Sequence, residues 1–440
     1  MLLPLLHLGS IIVTIPVFPT ADWCLRNCLS RKIDVLGNDK MTFDCDNEGG
    51  KYMKEKIMAI ILSMVMLLGG TTIAFADMSN GKVASEDLAM AIAYDFLIAR
   101  EKNEDVIDKL PNDYNLILSK TIYETQGVPS AYKFDIIGED DSYHGYIVIG
   151  AQEEYAPVIE YSISENKGFL DSAEANEEIY YVGGYDYFAV NEDTGVVKDL
   201  STHEEVQSAS INTYNNSIGA SDYSDMWETI YNAYEKKAIE SRYIKDPSPL
   251  EEGYQSLNIR NIPYAMKAPY VKTSDFNASK NACGPVAATN LMIMAKYSFE
   301  ENVLEDFEKP TIQNAYNELY VATKCNPNIG TFPNDLASGI DSYLTSIDSK
   351  YENATGNYQF VEDVGLNGLK NNVKNQICQI LQLNSMSMYS NHYVFTFGYE
   401  EYVHTDKSNV YFMIADGQNE GVRYILFDAS KMDTVVTVEF

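Results

Sequence analysis

Positive charge is scarce in this chain: 32 Lys and Arg stand against 64 Asp and Glu, a net charge of −32. That balance lacks the basic footprint that nucleic acid requires, and it repels anionic lipid. Cysteine is scarce as well. Cys24, Cys28 and Cys45 fall in the first 52 residues, which leaves Cys283, Cys325 and Cys378 further on. Three thiols are too few for a disulfide scaffold, and an odd number leaves at least one unpaired within the chain; a Cys325–Cys378 bridge stays open. Histidine is limited to five positions, and metal chemistry finds no pattern among them. His203-Glu204-Glu205-Val206 begins like a zincin helix, but Gln207 stands where the second ligand belongs, and Cys24-x-x-x-Cys28 has no second pair. There is no Walker-type Gly-Lys-Ser/Thr run and no Rossmann glycine fingerprint. The site chemistry is therefore expected to need no cofactor and no metal. Disorder is excluded by an ordinary apolar share of 45%, and the length of 440 residues suffices for more than one domain.

One long apolar run stands out near the amino terminus. Residues 53–76 combine Lys54 and Lys56, an apolar stretch from Ile57 to Leu68 and an Ala74-Phe75-Ala76 cleavage site, the three parts of a secretory signal peptide. The apolar stretch is short for a membrane anchor. Yet 52 residues precede it. The run Glu48-Gly49-Gly50-Lys51-Tyr52-Met53 can be encoded by GAA-GGA-GGT-AAA-TAT-ATG, a purine-rich ribosome-binding sequence ahead of a start codon. We therefore expect residues 1–52 to be a mis-assigned, unstructured leader, Met53 to be the start, and the remainder to be secreted, extracellular or at the cell surface of a Gram-positive bacterium, with no stable membrane insertion after signal cleavage.

The exported part is expected to be α+β, divided into 77–200, a linker with a helix over 201–255, and 256–440. Residues 84–102 place Leu88, Ala91, Ile92 and Phe96 near one helical face behind a Ser85 N-cap. Alternating runs follow at Tyr114–Glu124, Ala131–Ile137, Gly145–Ile149, Pro157–Ser162, Ile179–Val190 and Gly195–Leu200, read as antiparallel strands. A helix is expected at Asp222–Ala238, then an exposed linker at Lys245-Asp246-Pro247-Ser248-Pro249, whose prolines resist helix and strand. Abundant tyrosine and asparagine with little arginine suggest an AT-rich genome and carry no chemistry of their own.

The last part holds the reactive residues. Asn281-Ala282-Cys283-Gly284-Pro285-Val286-Ala287-Ala288 opens a helical pattern. A thiol at a helix start sits where the macrodipole favours the thiolate, and Pro285 has no N–H to lose in the first turn. This is the setting of a nucleophilic cysteine. Its base is expected to be His392, at the head of the strand Tyr393–Tyr399, rather than His404 in a turn. The orienting acceptor is expected at Asp416, ending the strand Val410–Ala415, with Asn419 as the second candidate. The oxyanion would be held by the backbone N–H of Cys283 and by a side-chain amide, from Asn277 or Asn281.

The order Cys283, His392, Asp416 resembles that of papain-like peptidases. Cys-Gly-Pro-Val-Ala-Ala at a helix start, with Asn391-His392-Tyr393-Val394-Phe395-Thr396-Phe397-Gly398-Tyr399, resembles the double-glycine-leader peptidase-like family. Residues 84–200, with Gly145-Tyr146-Ile147-Val148-Ile149 through Val158-Ile159, resemble the streptopain pro-segment. The resemblance implies a papain-like catalytic domain, a helical half carrying Cys283 and an antiparallel sheet half carrying His392 and Asp416. It implies a thiol peptidase acting on peptide or protein substrates, made as a zymogen with its own N-terminal domain as intramolecular inhibitor. The chain departs from the family at Asn277, where a glutamine is usual, and lacks streptopain's tryptophan-rich tail. A papain-like acyltransferase or cell-wall amidase, or a non-enzymatic binding protein on the same scaffold, fits the same residues. The start assignment is tested by peptide mapping of the native protein: no peptide from residues 1–52 is expected, and a single one would overturn it.

Overall fold

The computed structural model describes His7–Leu8, Ile11–Ile12 and residues 83–440 except 126, 182–186, 201–203, 207–222, 238–255, 277–280, 356–357, 384–391, 404–407 and 420. The expected signal peptide, the expected leader apart from two short strands, most of the expected 201–255 linker, His203, His404 and Asn277 thus lie outside the described residues. Met1–Ser79 forms one unit, in which His7–Leu8 pairs with Ile11–Ile12, and Asn80–Phe440 forms a second. Everything below concerns the second.

It is mixed α+β, with six α-helices among the described residues and one large, mostly antiparallel sheet. In chain order the elements are α1 (Glu86–Glu101), β1 (Tyr114–Thr125), β2 (Val128–Gly138), β3 (Tyr143–Gly150), β4 (Val158–Ile163), β5 (Glu177–Tyr181), β6 (Tyr187–Asn191), β7 (Val197–Asp199), β8 (Glu204–Val206) and α2 (Ser224–Lys237). Then come β9 (Ser256–Asn261), α3 (Cys283–Phe299), α4 (Lys309–Ala322), α5 (Pro333–Ile347), β10 (Gln359–Phe360), α6 (Val361–Lys374), β11 (Cys378–Leu383), β12 (His392–Val403), β13 (Ser408–Ala415), β14 (Arg423–Leu426) and β15 (Met432–Val438). The strand order is β8-β7-β6-β5-β1-β2-β3-β4-β14-β13-β12-β11-β15-β10, with β9 along the remaining length of β12. Among the described residues only β1 and β5 run parallel.

Local rules explain the elements. The Ser85 hydroxyl accepts the Leu88 N–H at 3.2 Å, acidic residues occupy the first turn of α1 and Arg100 the last, as the helix dipole favours. Helix α3 is apolar on every side and buried from Gly284 to Ala295, so it lies inside the fold rather than on it. The strands before and after residue 250 join at β4 and β14, where Ser162 pairs with Arg423, Tyr161 with Tyr424 and Glu160 with Ile425.

The core crosses the same seam. Phe96 of α1 packs on Tyr161 at 5.0 Å, on Tyr402 at 4.7 Å and on Tyr411 at 5.5 Å between ring centroids, and Tyr161 stacks on Tyr424 at 4.4 Å. The hydroxyls of these rings serve a buried ion pair: Arg100 meets Glu400 at 3.1 Å, Tyr161 and Tyr402 donate to Glu400 at 2.5 and 2.8 Å, and Tyr424 donates to Asp108 at 2.6 Å. The abundant tyrosine thus has a structural use, presenting an apolar ring to the core and a hydroxyl to a buried carboxylate.

A shared core makes the two sides unfold together. The full chain should show one denaturant transition across residues 80–440, and Phe96→Ala should cost about 3–5 kcal/mol of its stability. Two separate transitions would contradict a common core.

Candidate active site

Three segments converge at the N-terminal end of α3. The first is the helix start itself. Gly284 is closely packed: a Cβ there would stand 3.0 Å from Thr331 Cβ and 3.5 Å from the Tyr393 ring. The second is the head of β12, where the backbone N–H of Tyr393 hydrogen-bonds the Cys283 sulfur. The Tyr393 hydroxyl donates to the Thr331 carbonyl at 3.1 Å, tying the loop before α5 to the same strand. The third is the turn after β13. Gly417 has φ of +71°, and a Cβ on it would fall 2.9 Å from Val286 Cγ1, so the turn is pressed against the first turn of α3. Thr273 holds the Gly417 carbonyl through its N–H at 2.8 Å and its hydroxyl at 3.1 Å. Asn290, buried in α3, pairs with both backbone groups of Val271, so the segment leading toward Asn277 is fastened to the helix.

His392 meets the Asp416 turn, and Tyr393 and Gly417 lie against the first turn of α3; two details differ from the sequence expectation. The His392 ring nitrogen Nε2 lies 2.8 Å from the Asp416 carbonyl oxygen, not from its carboxylate. A carbonyl carries no proton, so Nε2 is the donor, and in the neutral ring Nδ1 is left as the base. The Asp416 carboxylate is turned the other way. It accepts from the backbone N–H groups of Gln418 and Asn419, both at 2.8 Å, from Asn419 Nδ2 at 2.5 Å and from Arg423 Nη1 at 3.3 Å. Asp416 orients His392 through its backbone because its carboxylate is claimed by a buried guanidinium and by its own turn. Asn419, the alternative acceptor, holds Asp416 instead.

The second difference is the state of the thiol. The helix start was expected to favour the thiolate. Instead, although Cys283 is only half-buried, burial pushes its thiol up to about 11, against the opposing pull of the Tyr393 and Gly284 N–H groups. Desolvation of a charged sulfur outweighs the partial charge of one helix end. His392 moves in the opposite direction: burial lowers it, with Asp416 opposing and Arg423 assisting. Both groups are uncharged at neutral pH in this arrangement. Asp199, at the end of β7, also acts on the His392 ring electrostatically, favouring its protonated form.

Asn277 lies outside the described residues. Asn281 does not face the sulfur: its side-chain amide donates to the Pro327 carbonyl at 3.0 Å. Cys325 and Cys378 are free thiols and form no bridge; the Cys325 thiol donates to the Asn281 carbonyl at 3.3 Å. Among the described residues no group of His, Cys, Asp and Glu is arranged to hold a metal ion, and no helix is long and apolar enough to cross a membrane.

Arg423 and Glu160 were missed by the sequence reading. Arg423 Nε meets Glu160 Oε1 at 3.2 Å, Nη2 bonds to Oε2, and the guanidinium lies 4.7 Å from the Phe169 ring centroid. The signal was present: Glu160 in Val158-Ile159-Glu160-Tyr161 and Arg423 in Val422-Arg423-Tyr424-Ile425 are lone charges inside apolar strands. Such charges are buried only as pairs.

No protein-family model matches the chain, and a search of curated proteins returns no match either.

The thiol's position predicts its reactivity. Alkylation of Cys283 by iodoacetamide in the full chain, followed by peptide mass, should be slow at neutral pH and climb steadily toward pH 11, since only the thiolate reacts. A rate plateau extending into acid pH, the mark of a thiolate–imidazolium pair, would contradict this.

Proposed function

We propose that the protein is a secreted cysteine peptidase of the papain-like kind, made as a zymogen, with Cys283 as nucleophile and His392 as base. The observation that carries the reading is one hydrogen-bond sequence. The Tyr393 N–H engages the Cys283 sulfur, and the adjacent His392 commits Nε2–H to the Asp416 carbonyl, leaving Nδ1 for the thiol proton. The papain-like assignment is further supported by a buried helix carrying the cysteine against an antiparallel sheet carrying the histidine and aspartate.

In the proposed reaction His392 Nδ1 removes the Cys283 proton as sulfur attacks the substrate carbonyl carbon. The oxyanion meets the Cys283 backbone N–H at the helix start, with Asn277 as the proposed second donor. The imidazolium then returns the proton to the leaving amine as the C–N bond breaks, which leaves a thioester. Water, deprotonated by Nδ1, cleaves the thioester and restores the thiol. Asp416 keeps the ring in the Nε2–H tautomer through its carbonyl.

Inhibition by the N-terminal half is part of this reading. Phe169 N–H donates to Asn419 Oδ1 at 2.9 Å, beside the turn that holds His392, and the burial that keeps Cys283 and His392 uncharged is what activation would have to relieve. Activation would expose the sulfur to water and let the helix dipole act. Cleavage between about residues 240 and 255, in the linker, is the proposed trigger.

The test follows the intact mass of the full chain, and of an added protein substrate, under reducing conditions. Wild type should cleave the linker or the substrate, Cys283→Ala should do neither, and His392→Ala should be slower by about 10²–10⁴-fold. Equal cleavage by wild type and Cys283→Ala would overturn the reading. Products carrying the mass of an added amine would make it an acyltransferase.

A further inference from the structure

The Asp416 turn is built from both sides of the β4–β14 seam. Its carbonyl holds His392, and that carbonyl is placed by a carboxylate that Arg423 binds at 3.3 Å. Arg423 is 2% exposed, Asp416 1% and Glu160 0%. A guanidinium so enclosed is held in place by its anions, and its bidentate partner is Glu160, on the N-terminal strand β4. Glu160 is itself positioned by Tyr146, whose hydroxyl donates to Oε1 at 2.9 Å. A second link from the N-terminal half reaches the same turn, through Phe169 N–H to Asn419 Oδ1 and Asn419 Nδ2 to Asp416 Oδ2. Without β4, Arg423 would keep one carboxylate instead of two, and strand β14 would become an open edge.

We propose that Glu160 is a positioning residue for the Cys283–His392 site, acting through Arg423 on the Asp416 turn, and that the N-terminal half is consequently a permanent working part of the protein. This rests on the reading of Cys283 and His392 as nucleophile and base. Glu160 lies on the seam strand β4, whereas β5 to β8 lie further out in the sheet, away from β14. Linker cleavage would free the outer strands to shift while the seam stays annealed.

The test uses ¹⁵N-histidine-labelled full chain and compares Glu160→Gln, Glu160→Asp, the pair Glu160→Gln with Arg423→Gln, and Ser162→Ala. The last removes a hydrogen bond to the Val422 carbonyl in the same seam without touching Arg423. Wild type should show His392 as a single Nε2–H tautomer. Glu160→Gln should show mixed tautomers and a kcat lower by about 10–100-fold with KM little changed, the signature of a misplaced base. Glu160→Asp should recover part of both. The double variant removes the guanidinium together with its bidentate partner and leaves the Asp416 carboxylate to the N–H groups of Gln418 and Asn419, so it reports even if Glu160→Gln, which strands Arg423, fails to fold, and it too should lose the single tautomer. Ser162→Ala should lower the melting temperature and leave the tautomer unchanged. A single Nε2–H tautomer in the double variant would overturn the proposal. The tautomer does not depend on turnover: an inactive wild type with the expected tautomer pattern would sink the peptidase reading alone.

Discussion

A guanidinium shut away from water sets the terms for much of this fold. Arg423 sits between Glu160 and Asp416, over the ring of Phe169. Burying one such ion costs several kcal/mol after relaxation, and only well-placed carboxylates offset it. The two carboxylates lie 256 residues apart in sequence, one on the last strand of the N-terminal sheet and one on the turn that holds His392. Satisfying Arg423 therefore requires the β4–β14 pairing, and that pairing makes two sheets into one.

The Arg100–Glu400 pair repeats the arrangement along the same seam, with tyrosine hydroxyls filling the remaining acceptor positions. Two buried ion pairs and a stacked aromatic cluster fix the register of the halves more strictly than apolar contact alone could, because a slip of one residue would strand a charge. Such a seam is the precise opposite of a loosely bound cover. It also separates two effects: the turn that orients His392 belongs to the seam, while the desolvation that raises the Cys283 thiol comes from what closes over the sulfur.

Much of the local structure was legible in the sequence. Ser85 with acidic followers marks the start of α1, Cys283-Gly284-Pro285 marks the start of α3, and alternating runs mark most strands within a few residues. These features depend on neighbours three or four residues away, which a sequence displays directly. What was not legible depends on partners far along the chain. Period-two alternation says which face of β4 is buried and nothing about which strand lies at its edge, so a division near residue 250 gave no hint of a sheet passing across it. The expectation set the Asp416 carboxylate against the His392 ring, where the structure has the Asp416 carbonyl, because the competing claim of Arg423 on the carboxylate is a tertiary fact. The thiolate expectation weighed the helix dipole, which a sequence reveals, without the burial, which it does not.

Trp227 in α2 is wholly buried, and its indole N–H donates to the Tyr155 carbonyl at 2.8 Å, which pins the helix before the linker to the N-terminal sheet. The chain has only one other tryptophan, Trp23, ahead of Met53. A protein beginning at Met53 or later thus carries a lone indole fluorophore where the linker leaves the sheet. Its emission colour reports, without any label, whether that helix is still docked.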